Sequence, residues 1–308
     1  MSTIGAAVPG TAWFLEGIAN VQQQQAETVR QLSSGYQVQT AADAPSLVPD
    51  LVNFSSSLSA TQDYQTRLGQ ARTEAQAADS ALATGISLLE NAQTLATQGA
   101  DSSSTAATRQ TLAAEVQGIQ QQMVGLANTA VAGRYIFGGS SDRSAPYAYD
   151  GSNSRGADRL TPQAPGPATV NTQGQTAYQG LTASQIFDLS DSSGNPVAGN
   201  VFSALQSLSA ALTANDTAGI SAALNGLQAA SNHLNQQQAV YGAAEQRISE
   251  EQNTASNQVT AIQTAIGGIR DANVTQDATN LSQEVVEQSA AYGAQSLIPK
   301  KSLFDYLG

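Results

Sequence analysis

Between Ile220 and Ile269 the chain keeps a 3.5-residue repeat without a slip. Steps of four and three lead from Ile220 through Leu224, Leu227, Ser231, Leu234, Gln238, Tyr241, Glu245, Ile248, Gln252, Ala255, Val259, Ile262 and Ile266 to Ile269, and eleven of those fifteen positions are apolar. Held so long, this period lays one narrow apolar seam along a helix, because slight underwinding keeps the seam facing its partner. At about 1.5 Å per residue the helix would be roughly 75 Å long. One rod cannot bury its own stripe, so the rest of the chain must supply other long helices.

Those partners are readable. A second rod is expected from Leu51 to Ala96, stepping through Phe54, Leu58, Thr61, Gln65, Leu68, Arg72, Ala75, Asp79, Leu82, Ile86, Leu89 and Gln93. After a turn at 99–104, a third helix carries Leu112, Val116, Ile119, Met123, Leu126 and Ala130 in one register. The short connection makes these two helices antiparallel neighbours, and with the opening rod they form a three-helix bundle. Ahead of them, Phe14, Ile18, Val21, Gln25, Thr28 and Leu32 mark an amphipathic helix from Thr11 to Leu32, which Ser33-Ser34-Gly35 stops. Pro45 and Pro49 predict an irregular linker before the second rod.

At Gly133-Arg-Tyr-Ile-Phe-Gly-Gly139 the composition changes. From there to about Asn200, Gly, Pro, Ser, Asn and Asp recur between short apolar pieces at 135–137, 147–149, 168–170 and 185–189, the pattern of a small β-rich domain. Helix resumes with Val201, Phe202, Leu205, Leu208 and Leu212, and a turn at Asn215-Asp216 leads into the long rod. Gly267-Gly268 is expected to loosen the rod, with a hinge over Asp271 to Asp277. A final stripe then follows at Leu281, Val285, Gln288, Tyr292 and Gln295. Pro299 ends that helix, and Leu303, Phe304, Tyr306 and Leu307 give the tail an apolar character that calls for a partner. The fold class is therefore mainly α: a long coiled-coil-like bundle built from both chain ends, with a small β-rich insertion. Its expected parts are residues 1–42 with 272–308 as an inner assembly domain, 43–137 with 200–271 as the bundle, and 138–199 as an exposed insertion.

Composition removes most chemistry. The 308 residues contain no Cys, which excludes disulfides, thiol catalysis and cysteine-type zinc sites. A net charge of -12, with Lys only at 300 and 301, leaves no phosphate-binding surface, so no nucleic-acid partner is expected. The first ten residues lack the basic flank of a secretory signal, and no apolar run is long enough to span a membrane. His233, the single histidine, has no nucleophile elbow or other catalytic frame around it and reads as a helix-surface residue. Residues 188–195 lack the alternate acids and terminal Glu of a calcium loop and read as a turn. Glu250 and Glu251 point about 100° apart on a helix and read as a solvated face. Phe137, Tyr147 and Tyr149 read as the core of the small domain. No catalytic, cofactor or metal residue is expected. Two amphipathic terminal helices instead favour assembly, since non-closing contacts between such surfaces generate helical filaments.

Specific stretches carry a resemblance. Gln31-Leu-Ser-Ser-Gly35 with Ala41-Ala-Asp-Ala-Pro45, then Gln98-Gly-Ala, Arg109, Glu115 and Leu126-Ala-Asn128, resemble the bacterial flagellin-type family. Gly133 to Gly139, Ala145 to Gly151, Val201 to Leu205 and the ending Ser302 to Leu307 resemble its hook-filament junction branch more than its main filament branch. Gln31 stands where the family commonly has Arg, and Ala44 where a second Asp is frequent. The resemblance implies a structural subunit of the flagellum, joining hook to filament by helical self-assembly. Flagellin is the alternative reading, and an enzyme with a site in the insertion a further one. It also implies an extracellular location reached through type III export, and as partners copies of the chain, neighbouring hook-associated proteins, flagellin and an export chaperone on the C-terminal region. The expected assembly interface is Phe14, Ile18, Val21, Leu32, Leu281, Val285, Tyr292, Leu303, Phe304 and Leu307. The long rod would then be the spine of the bundle, and the segment beyond Asp271 the part that makes the filament.

Overall fold

A computed structural model describes residues 9–297 of the chain. Within them, helices α1 (Pro9–Ser34), α2 (Val48–Ala100) and α3 (Ala106–Ala127) precede three antiparallel strand pairs. The pairs are β1 (Ala130–Val131) with β2 (Arg134–Tyr135), β3 (Tyr147–Tyr149) with β4 (Ala157–Arg159), and β5 (Thr169–Val170) with β6 (Thr176–Tyr178). The short α4 (Ala183–Ile186), α5 (Val201–Thr213), α6 (Thr217–Arg270) and α7 (Val274–Leu297) complete a mainly α fold with a small β region. The chain divides into two compact units, Met1–Ser59 with Val259–Gly308, and Ala60–Gln258.

The larger unit holds the hydrophobic core, a single cluster running from Tyr64 to Ala255. The α6 repeat behaves as its period demands: all fifteen positions are buried or half-buried, and Ile220, Leu227, Leu234 and Ile248 are fully enclosed. On α2 the buried seam is Thr61, Tyr64, Leu68, Ala71, Ala75, Ala78, Leu82, Gly85, Leu89, Ala92, Ala96 and Gly99. From Gln65 on, alternate positions of the expected stripe yield the deepest burial to the residue before them: Arg72 is exposed and Ala71 takes its place, while Gln65, Asp79, Ile86 and Gln93 are half-buried beside the buried Tyr64, Ala78, Gly85 and Ala92. Positions 71, 78, 85, 92 and 99 are all Ala or Gly, and their lack of bulk lets neighbours close in. A Cβ on Gly85 would meet Leu234 Cδ1 at 3.3 Å and Met123 Sδ at 3.5 Å, and one on Gly99 would meet Leu212 Cδ2 at 2.4 Å. Gly85 touching the end of α3 while Gly99 lies near Leu112 at its start makes α2 and α3 antiparallel.

Two expectations change here. The bundle has a fourth member, α5, which packs along α3 and contributes the enclosed Leu205, Leu208 and Leu212. Its N-cap Asn200 accepts from the Ser203 N–H, an anchor that fixes where this helix starts. The third helix stops at Ala127, so Ala130 belongs to β1. Buried Arg109 ties the two ends of the bundle turns together. Its Nε donates to the Gly99 carbonyl at 2.7 Å, and its terminal nitrogens donate to Asn215 Oδ1 at 2.6 Å and the Asp101 carbonyl at 3.0 Å.

Phe137, Phe187, Phe202, Tyr147 and Tyr241 join the β region to α5 and α6, with ring centroids 5.1–6.5 Å apart. Phe137 and Tyr147 are core, as expected, and Tyr149 packs partly against it. Residues 185–189 are no strand. Thr182 and Gln185 form a capping box that starts α4.

In the smaller unit, Pro49 sits inside the first turn of α2, where its missing N–H costs no helical bond, so the linker is shorter than expected. The α6 helix runs through Gly267 and Gly268 to Arg270, and the break before α7 is only 271–273. The reason is a cap from elsewhere in the chain: the Arg270 carbonyl accepts from the N–H groups of Gln37 and Val38 at 2.7 and 3.2 Å, and the Ala272 N–H donates to the Gly35 carbonyl at 3.0 Å. Gly35, with φ +74, ends α1 as the sequence predicts.

Candidate assembly surface on the terminal helices

The α1 stripe of Phe14, Ile18, Val21, Gln25, Thr28 and Leu32 lies inward against α7, Thr28 buried and the others half-buried. Thr28 Oγ1 donates to Glu284 Oε1 and Gln22 Nε2 to the Tyr292 hydroxyl, each at 2.9 Å. Rising numbers on one helix meet falling numbers on the other, so the pair is antiparallel. The inward positions of α7 are Asp277, Leu281, Glu284, Gln288 and Ala291. The expected stripe is off by one at alternate steps, and Val285 and Tyr292 are exposed. Leu303, Phe304, Tyr306 and Leu307, with Pro299 and the side chain of Gln295, lie outside the described residues.

Polar groups interrupt this seam. Asp277 Oδ2 and Glu284 Oε2 are enclosed without a hydrogen-bond partner, and each such atom costs about 1–3 kcal/mol. The outer faces also carry several large apolar side chains. Trp13 exposes 81% and Val286 66% of their surface, and Leu15, Val29, Val274, Val285 and Tyr292 are exposed beside them.

The loop after α1 is held by charge. Asp43 accepts from the N–H groups of Thr40 and Gln39 at 2.7 and 3.0 Å and from Arg30 at 3.1 Å. The backbone donors of Thr40 and Gln39, then the Arg30 charge, lower its carboxyl to about 2. Arg30 and Asp43 thus form an ion pair beside Gln31 and Ala44. The Arg270 guanidinium lies 4.4 Å from the Tyr36 ring centroid.

In the larger unit the polar groups are consumed by structure. Asp188 accepts from the Tyr147 hydroxyl (2.9 Å), Arg159 (2.6 Å) and Arg155 (3.4 Å) on Oδ2 and from Asn200 (2.9 Å) on Oδ1. Burial, and then the Asp188 charge, push the Tyr147 hydroxyl up from its ordinary pKa. Residues 191–195 form the expected turn, with Asp191 Oδ1 accepting from the Ser193 and Asn195 N–H groups. His233 Nε2 lies 3.0 Å from the Gln185 carbonyl. Glu251 is not merely solvated: it accepts from the Tyr64 hydroxyl at 2.9 Å. A cleft of about 190 Å³ is lined in part by Arg67, Glu74, Arg134, Asp142 and Tyr178, and burial raises the Glu74 carboxyl above its ordinary value. Among the described residues no group of three or more acids and histidines could hold a metal ion, and no helix is long and apolar enough to cross a membrane.

Known proteins place this arrangement. Residues 12–142 match the bacterial flagellin N-terminal helical region and residues 224–307 the bacterial flagellin C-terminal helical region. Flagellar hook-associated protein 3 of Escherichia coli (strain K12) is 26% identical over 202 residues, which cover 64% of this chain and 63% of that protein. The chain thus spans less than two-thirds of that relative's length. The fold is similar to a candidate flagellar hook-associated protein from Vibrio parahaemolyticus, with a TM-score of 0.62 at 18% identity, covering 74% of this chain and 100% of the other. It is also similar to Bacillus cereus FlgL, with a TM-score of 0.55 at 18% identity, covering 70% and 99%. Both terminal helical regions together cover more than half of the sequence, and the chain belongs to the bacterial flagellin family.

Proposed function

We propose that this chain is a structural subunit of the bacterial flagellum that joins hook to filament, assembling through its terminal helices with copies of itself, other hook-associated proteins and flagellin. The observation that carries the reading is the α1–α7 pair, whose seam of mixed polarity leaves a carboxylate oxygen of Asp277 and of Glu284 without a partner and which leaves Trp13, Val29, Val285, Val286 and Tyr292 facing out. Phe14, Ile18, Val21, Leu32 and Leu281 hold the pair together, and Leu303, Phe304 and Leu307 add to the interface beyond it. The similarity to hook-associated protein 3 favours the junction over the main filament. Residues 1–42 with 272–308 act as the assembly domain, 43–137 with 200–271 as the bundle and 138–199 as the exposed insertion. The subunit reaches the cell exterior by type III export, with a chaperone on its C-terminal region beforehand, and its role is mechanical rather than enzymatic.

Electron microscopy of cells lacking the gene tests this directly. Hooks without filaments, with flagellin shed into the medium, are expected. Normal filaments on those cells would remove the junction role.

A further inference from the structure

We propose that a groove in the smaller unit receives Leu303–Leu307 of a second copy of this chain. The idea rests on the self-assembly reading above and names the contact that joins one subunit to the next. The groove, about 390 Å³, lies between residues 38–41, the first turns of α2 and the last turn of α6, with Val38, Val48, Leu51, Val52 and Ile266 among its walls. Val38 and Ile266 form a buried base, whereas Val52 exposes 60% of its surface. A hollow of this size and apolar lining suits a few bulky side chains. Leu303-Phe-Asp-Tyr-Leu307 supplies four in five residues.

Chain geometry decides which copy supplies the segment. Helix α7 starts four residues after Arg270 and runs 24 residues back along α1, so Leu297 lies a helix length of about 36 Å from its start beside the groove. Extended chain gains at most about 3.6 Å per residue, so Leu303 reaches back only about 22 Å and Phe304 about 25 Å. A molecule cannot place these two residues in its own groove. A neighbour can, and a donor segment on one side with an acceptor groove on the other is a heterologous contact that propagates.

The absence of cysteine makes the test clean, because Val52→Cys and Leu303→Cys introduce the only thiols. The two full-length single variants, mixed and oxidised with diamide, should give a mixed disulfide dimer at least tenfold more abundant than a Leu303→Cys mixture with Thr94→Cys, an exposed position elsewhere on α2. The double variant should give a ladder of intermolecular species. A mixed yield at the control level overturns the proposal, as does a double variant that closes into an internally bridged monomer. If the yield is at the control level while the unsubstituted protein still polymerises, the docking fails and the assembly reading survives. If the unsubstituted protein does not polymerise either, both fall.

Discussion

Asp188 shows how one carboxylate fixes the β region to the bundle. Its partners come from β3, β4 and the residue before α5, and the side chain is almost wholly enclosed. Removing one partner of such a cluster leaves cationic and hydroxyl donors facing an empty acceptor site, so Asp188→Ala should destabilise the larger unit by roughly 3 kcal/mol, read from its urea midpoint. Asp188→Asn keeps the shape and one acceptor oxygen and should cost less. Asp43 makes a different prediction because its effect depends on pH. Its folded pKa of about 2 lies below the ordinary 3.8, so its contribution is complete above about pH 4 and is lost as pH falls toward 2. A carboxyl titration of Asp43 by NMR should show its midpoint near 2; a midpoint near 4 would mean that the Thr40 and Gln39 donors do not hold it. Asp188 was not legible as a hub because Tyr147, Arg155, Arg159 and Asn200 stand in separate stretches, and no local pattern announces that they meet. In sequence the Asp43 loop reads only as an irregular linker, although two of its three donors, the Gln39 and Thr40 N–H groups, lie within four residues of it.

At the scale of elements, the long α6 helix was readable because each of its seam positions depends only on a fixed spacing and on bulk. The α2 seam was not, because hydropathy ranks Ala and Gly low even where their smallness is what packing requires. Ala71, Ala78, Gly85, Ala92 and Gly99 therefore passed unnoticed beside Gln65, Arg72 and Asp79. The end of α6 was misjudged for a further reason: Gly267 and Gly268 argue for a break locally, and the donors that cap the helix at Arg270 come from Gln37 and Val38, far away in sequence. The small-residue seam gives substitutions of opposite sign on one helix. Gly69 has open space where a Cβ would go, so Gly69→Ala should stabilise the unit by up to about 1 kcal/mol through helix propensity. At Gly99 the added Cβ would sit 2.4 Å from the enclosed Leu212 Cδ2, and Gly99→Ala should cost about 1–3 kcal/mol through overpacking. Paired urea melts decide the matter; a Gly99→Ala variant as stable as Gly69→Ala would show that the α2–α5 contact is loose.

For the whole molecule, the decisive contrast is where apolar burial lies. The hydrophobic cluster runs from Tyr64 to Ala255, inside the larger unit, whereas the buried residues described in the smaller unit are Thr28, Val38, Ile262, Ile266 and Asp277. Regions with so little buried apolar surface open at low free-energy cost, and their amides exchange quickly. The smaller unit is the one that carries the exposed apolar side chains of α1 and α7, so subunit contacts should supply the burial it lacks. Trp13, the single tryptophan, stands on that surface at 81% exposure, which makes the protein its own reporter. In the monomer, amides of α1 and α7 should exchange much faster than those of the bundle, mild proteolysis should remove roughly the first 40 and last 30 residues while the bundle resists, and Trp13 should emit as a solvated indole. On polymerisation the exchange should slow at both helices together, and the Trp13 emission should move to shorter wavelength as water leaves its ring. Trp13→Asp or Val286→Asp should block polymerisation while leaving the bundle's melting unchanged, because both side chains lie outside its core. Polymers that form with Trp13 still in water would place the interface on another surface and leave the apolar faces of α1 and α7 without a role in assembly.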